Sequence, residues 1–150
     1  MTFARYARIA VALAAAGTAF AGYLSGVKLL TSTCAFNEPC PYVWGFPACW
    51  YGFGMFAAMT VVSVLGLLGR IGERTTLRTN ALVSAAGISF ASWLTVGELE
   101  NFTGSYGLGL PTCAYGLIVY IAMFALTVHQ TQRPASAVRP SSPQIGTTTR

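Results

Sequence analysis

"WGFPACWYGF" at Trp44–Phe53 and "LGLPTCAYGL" at Leu108–Leu117 share one skeleton, G-x-P-x-C-x-Y-G. The match runs without a gap at an offset of 64 and includes proline, cysteine and tyrosine, all rare enough to matter. At that offset Asn37, Tyr42, Gly45, Pro47, Cys49, Tyr51 and Gly52 fall on Asn101, Tyr106, Gly109, Pro111, Cys113, Tyr115 and Gly116. Upstream, Ala21, Ser25, Leu30 and Thr31 fall on Ala85, Ser89, Leu94 and Thr95. The chain therefore reads as two repeats, over residues 6–69 and 70–130.

What surrounds the motif decides what each repeat is. The 150 residues are 54% hydrophobic and only 9% charged, against roughly a quarter charged in an ordinary soluble domain. Ile9–Leu30, Trp50–Gly69, Asn80–Val96 and Cys113–Val128 contain no acid, and Lys28 is their only lysine or arginine. A bilayer core about 30 Å thick is crossed by about 20 such residues. Inside it, backbone polar groups must pair within their own segment, which selects helices. The sequence predicts an all-α membrane protein, a four-helix bundle with spans near 9–30, 50–69, 80–97 and 110–129. Two spans per repeat give both hairpins the same orientation, so they are parallel repeats about an axis along the membrane normal.

Charge sets the expected orientation. Arg5 and Arg8 precede the first span, Arg70, Arg74 and Arg78 lie between the second and third, and Arg133, Arg139 and Arg150 follow the fourth. The other connections hold Glu38, Glu98 and Glu100. Basic residues gather on the cytoplasmic side, so both termini and the middle loop are expected inside, in a plasma or inner membrane. The same placement explains the net charge of +5 through the lipid bilayer and its headgroups, without nucleic acid. The start, "MTFARYARIAVALAAAGTAFAG", has the outline of a signal peptide, but its apolar run continues to Leu30 and has a counterpart in the second repeat. It reads as a retained first span.

Within the motif, Pro47 and Pro111 mark where outer loops turn into the second and fourth helices, because proline suits a helix start and keeps the preceding residue out of it. Gly52 and Gly116, like Gly22 and Gly26 on the first span, are expected to admit a close helix. Tyr51 and Tyr115 suit the headgroup level. Cys49 and Cys113 then lie at equal depth on equivalent helices, facing each other across the axis or pointing apart.

Cys34 and Cys40, in "TCAFNEPCPY", complete four cysteines on one, extracytoplasmic, side. Disulfides persist there. Pro39 and Pro41 keep that loop out of helix, so a Cys34–Cys40 ring closes at reduced entropic cost. Each pair has two readings, a structural staple or an exchanging redox pair. No lysine, arginine or histidine in the loop favours a thiolate, and Glu38 disfavours one. A four-cysteine zinc site lacks the C-x-x-C clip.

Four spans, a cysteine pair in the first outer loop, a glycine-x-proline entry to span two (Gly45, Pro47) and a cysteine opening span four (Cys113) resemble the vitamin K epoxide reductase family and, more distantly, bacterial disulfide-bond formation protein B. The likeness covers most of residues 6–130. It implies a membrane thiol oxidoreductase in which the loop pair, Cys34 and Cys40, passes electrons from a thioredoxin-like partner to an inner pair beside a quinone. The inner C-x-x-C of that family is not present. "CAYG" ends in Gly116, so Cys49 of span two would have to pair with Cys113. Trp44, Trp50, Tyr51 and Tyr115 gather at the outer level, either as quinone contacts or as an interfacial aromatic belt.

Other features read more simply. Glu98 and Glu100, following span three on the outer side, read as acids near a quinone or, more simply, as solvated loop carboxylates. His129 lies at the C-terminal end of a helix, where a basic side chain interacts favourably with the dipole. "NFT" at Asn101–Thr103 fits a glycosylation acceptor. No ionisable residue lies mid-span, which argues against a pump or ion-coupled transporter. Residues 131–150, rich in Pro, Ser, Thr and Arg, are expected as a disordered cytoplasmic tail. Two functions of different class follow. One is extracytoplasmic thiol–disulfide exchange linked to a quinone. The other is a non-enzymatic scaffold or partner subunit, homo-oligomeric or not, stapled by structural disulfides.

Overall fold

A computed structural model describes residues 2–31, 42–101 and 111–132. Four helices make up most of it: α1 (Phe3–Thr31), α2 (Ala48–Leu67), α3 (Glu73–Asn101) and α4 (Thr112–Thr131). All four are long and apolar enough to cross a membrane, and they pack as a bundle. The chain is a multi-pass membrane protein. Cys34, Cys40, Thr103 of the glycosylation pattern and the tail beyond residue 132 lie outside the described residues.

The packing is that of a protein whose solvent is lipid. Ser63, Thr76, Asn80, Ser84 and Thr127 are fully buried, while Leu82 is 63% and Trp93 66% exposed. A water-soluble bundle would do the reverse. In hydrocarbon, outward leucine and tryptophan cost nothing, whereas hydroxyl and amide groups need partners within the protein.

Helix ends differ from the apolar spans for identifiable reasons. α1 and α3 begin about two turns before their apolar blocks, at Phe3 and Glu73. Hydropathy marks membrane depth, whereas an arginine-bearing turn is a perfectly good helix. Thr2 O accepts the amides of Arg5 and Tyr6 at 3.0 and 3.1 Å, fixing the start of α1. α2 stops at Leu67 because Gly69 adopts φ +69°. Arg70 N then donates to Leu65 O and Gly69 N to Gly66 O, at 2.9 and 3.1 Å. This left-handed glycine cap satisfies the last carbonyls of the helix and turns the chain directly into α3.

The twofold relation between the hairpins is visible contact by contact. Phe56 of α2 and Tyr120 of α4 stack at 4.2 Å, nearly coplanar at 5°. Behind Phe56 lies Gly17 of α1, and behind Tyr120 lies Gly87 of α3. Phe20 of α1 meets Tyr115 of α4, and Tyr51 of α2 meets Phe90 of α3, with ring centroids 6.3 and 5.7 Å apart. Buried Met59 and Ser63 correspond to buried Met123 and Thr127.

These pairs correct the expected alignment. α2 maps onto α4 at an offset of 64, but α1 maps onto α3 at 70, as in Gly17 to Gly87 and Phe20 to Phe90. Ala21, buried, corresponds to buried Ala91 and not to exposed Ala85. Ser25 likewise corresponds to Thr95, not to Ser89. The first connection is longer by six residues, so an ungapped comparison slips on its upstream side.

The glycines also divide differently than expected. A Cβ on Gly17, Gly66 or Gly87 would lie 2.6, 2.5 or 2.5 Å from Phe56, Thr76 or Tyr120 respectively. At Gly26, Gly52 and Gly116 it would meet nothing within 4 Å. Gly22 sits between, 3.2 Å from Phe53. The close approaches fall mid-helix at Gly17 and Gly87 and in the last turn of α2 at Gly66, not at the glycines of the repeated motif.

One element was not foreseen. β1 (Tyr42–Val43) and β2 (Phe46–Pro47) pair antiparallel, Tyr42 opposite Pro47 and Val43 opposite Phe46. Trp44 and Gly45 between them both have positive φ, 51° and 86°. That is the dihedral pattern of a two-residue hairpin turn. Tyr51 OH donates to Val43 O at 3.1 Å and ties the hairpin to the first turn of α2.

Candidate functional site

α2 and α4 start the same way. Pro47 (φ −61°, ψ 137°) and Pro111 (φ −52°, ψ 141°) are their N-caps, extended as a residue must be just before a helix. The expected role of the two prolines therefore holds. Cys49 and Cys113 occupy the second position of each helix and are half-buried. They stand at one end of the bundle, on equivalent helices whose stacked rings Phe56 and Tyr120 fix a common height. No disulfide joins them.

The burial of Glu98 beside Cys113 corrects its reading as a solvated loop residue. α3 continues to Asn101, so Glu98 lies within a helix and is only 7% exposed, not solvated in a loop. Cys113 Sγ donates to Glu98 Oε1 at 3.6 Å, a length appropriate to sulfur. Glu100, two residues on, is exposed as expected. At the offset of 70, the counterpart of Glu98 is Lys28, whose Nζ lies 5.5 Å above the Tyr42 ring. One turn deeper, Ser25 Oγ and Thr95 Oγ1 are buried without a hydrogen-bond partner. Most other span hydroxyls, such as Thr18, Thr60, Ser84 and Thr127, bond back to a carbonyl four residues earlier.

The aromatic residues named for a quinone do not converge. Trp44 is 91% exposed at the hairpin tip, and Trp50 packs on Phe46 at the surface. Tyr51 lies at the α2–α3 interface and Tyr115 at the α1–α4 interface, each against a phenylalanine. Four side chains in four settings do not form one ring-shaped slot for a quinone. Trp44, Trp50 and Tyr42 instead form an exposed aromatic fringe, as an interfacial belt does.

No match to a protein-family model, a curated protein or a solved structure is found for this chain.

At the opposite end a buried polar network joins all four helices. Asn80 Nδ2 donates to Tyr6 OH at 3.1 Å and to Ser63 Oγ at 2.9 Å. Tyr6 OH and Thr127 Oγ1 are 2.9 Å apart, and Thr127 donates to Met123 O at 2.7 Å. Since the single Thr127 proton is used there, Tyr6 is the donor to Thr127. The chain of bonds thus has one direction, Asn80 to Tyr6 to Thr127 to Met123 O. Sequence reading passed over these residues, because nothing in the sequence says which hydroxyl of an apolar span faces inward. His129 lies in the last turn of α4 at this same end. Among the described residues no three His, Cys, Asp or Glu side chains gather as a metal ion would need.

Proposed function

We propose that the cysteine-bearing end of this membrane bundle carries out thiol–disulfide exchange on the extracytoplasmic side. The observation that carries the reading is the placement of two half-buried thiols at equivalent helix starts at one end of the bundle, one of them hydrogen-bonded to a buried carboxylate. A structural thiol in a lipid-facing bundle has no need of an acid in the next helix, and buried acids in membrane proteins mark function by default. The resemblance to membrane thiol oxidoreductases points the same way. On this reading both termini are cytoplasmic, and Cys34 and Cys40 form the outer pair that meets a thioredoxin-like partner.

The exchange balances without any further reactant. Two thiols, Cys49 and Cys113, give up two electrons and two protons to a disulfide, which becomes a dithiol, while a Cys49–Cys113 bond forms. Run backwards, the same step reduces Cys49–Cys113 at the partner's expense. Attack at each stage is by a thiolate on a disulfide sulfur.

Alkylation mass shifts on the protein in native membranes test this. After mild oxidation Cys49 and Cys113 should become protected together, and a mild dithiol should release both. Cys34→Ser should trap mixed disulfides through Cys40. If no treatment short of detergent or heat alters the alkylation pattern, and no mixed species appears, the reading fails. The protein is then a scaffold or partner subunit held by inert bridges.

A further inference from the structure

We infer that Glu98 sets the order in which the two thiols react, Cys49 attacking first and Cys113 second. The order rests on the exchange reading, but the chemistry behind it does not. Offsets of 64 and 70 make Cys49 the counterpart of Cys113 and Lys28 the counterpart of Glu98. At this end the two repeats keep the thiol, and the helix position that carries Glu98 in the second carries Lys28 in the first.

In the second repeat the arrangement is direct. Glu98 is 7% exposed and its Oε1 holds the S–H of Cys113 at 3.6 Å. Sulfur attacks as the thiolate. A carboxylate fixed against it retains the proton and opposes the growing negative charge, with little water to screen the pair. In the first repeat the corresponding helix position carries an ammonium group, placed over Tyr42 at the same end. Among the described residues the other acids are Glu73, in the first turn of α3 at the far end, and exposed Glu100. Neither duplicates Glu98 for Cys49.

The step follows. Cys49 loses its proton to water and attacks one sulfur of the partner's disulfide. The Cys49–partner bond forms, the partner's own S–S bond breaks, and the departing sulfur takes up a proton. Cys113 then attacks the Cys49 sulfur. Its proton passes by way of the Glu98 carboxylate to the second departing sulfur, the mixed bond breaks, and Cys49–Cys113 is made. Glu98 touches the reacting sulfur and handles its proton: it keeps Cys113 in reserve until a leaving sulfur needs that proton.

The test uses the full-length protein in lipid nanodiscs, with Cys34 and Cys40 replaced by serine and the neutral disulfide dithiodipyridine as probe. Release of the pyridinethione is followed by absorbance for variants that retain only Cys49 or only Cys113. Cys49 should react about tenfold faster than Cys113. Glu98→Gln should speed Cys113 by about tenfold and leave Cys49 unchanged, while Glu98→Asp keeps Cys113 slow. A gain in rate at one thiol alone is not what a folding defect produces. Equal rates, or a Cys113 rate unmoved by Glu98→Gln, overturn the inference. So does acceleration of both thiols alike, which would make Glu98 a structural residue. These rates require no partner, so they are decided separately from whether the wild type forms Cys49–Cys113 at all.

Discussion

Gly87→Leu will abolish the folded bundle in detergent, whereas Gly116→Leu will leave it intact. A Cβ on Gly87 lies 2.5 Å from both Cδ1 and Cε1 of Tyr120, and 2.7 Å from Cζ. Tyr120 has nowhere to retreat, because its other face is stacked on Phe56 at 4.2 Å. Phe56 in turn is backed by Gly17, whose own Cβ would sit 2.6 Å from that ring. Two rings and two backbones form a four-layer stack through the middle of the bundle. Overpacking a tight site costs about 1–3 kcal/mol for small additions, so Gly87→Ala should lose about 2 kcal/mol. A leucine has no room at all. Association of membrane helices depends on close packing, since lipid tails are as apolar as the helix faces. Around Gly116 a Cβ meets nothing within 4 Å, and a leucine there should stay within about 0.5 kcal/mol of wild type. Loss of helicity on titration with denaturing detergent measures both. Equal tolerance at the two sites would show that the ring stack does not hold the hairpins together.

Asn80→Leu and Tyr6→Phe will each destabilise the bundle by about 1–2 kcal/mol, and the double variant will cost less than their sum. Asn80 is fully buried and spends both amide hydrogens, one on Tyr6 OH and one on Ser63 Oγ. Removing the Tyr6 hydroxyl strands one of those hydrogens and takes from Thr127 the donor that faces it. In a bilayer no water replaces them. Removing Asn80 as well deletes the stranded group, so the second change is cheaper after the first. Hydrogen bonds between membrane helices average well under their nominal worth, and for that reason the coupling in the double-mutant cycle is more telling than either single value. Additive costs would mean that Tyr6 and Asn80 stabilise the protein independently.

Much of this was legible in the residues, and the reasons for the rest are physical. The four spans announce themselves because lipid tolerates no charge over such lengths, and Pro47 and Pro111 mark two helix starts because proline cannot sit deeper. The first-to-third helix correspondence was legible too, but at another offset. "AAGTAFA" at Ala15–Ala21 and "AAGISFA" at Ala85–Ala91 contain the glycine, phenylalanine and alanine that make the equivalent contacts. The more conspicuous cysteine motif fixed 64 as the offset, and the six-residue difference in the connections hid this second match. Glu98 was misjudged because its neighbours Gly97, Glu100 and Asn101 are typical of loops. The helix nevertheless continues through them to Asn101, with Glu98 turned inward against Cys113. Asn80 and Tyr6 had no signal of their own, since a polar residue at a span edge has the same sequence signature whether it faces lipid headgroups or the bundle interior.

The ring pair at the centre has a consequence for how such a chain tolerates change. Away from the axis, ring contacts exist in duplicate: Phe20 with Tyr115 is repeated as Tyr51 with Phe90. A lesion in one leaves a spare in the other. Phe56 and Tyr120 meet each other, and there is no second copy of that meeting. Drift can be absorbed at the periphery one half at a time, but at the hub both partners must move in concert.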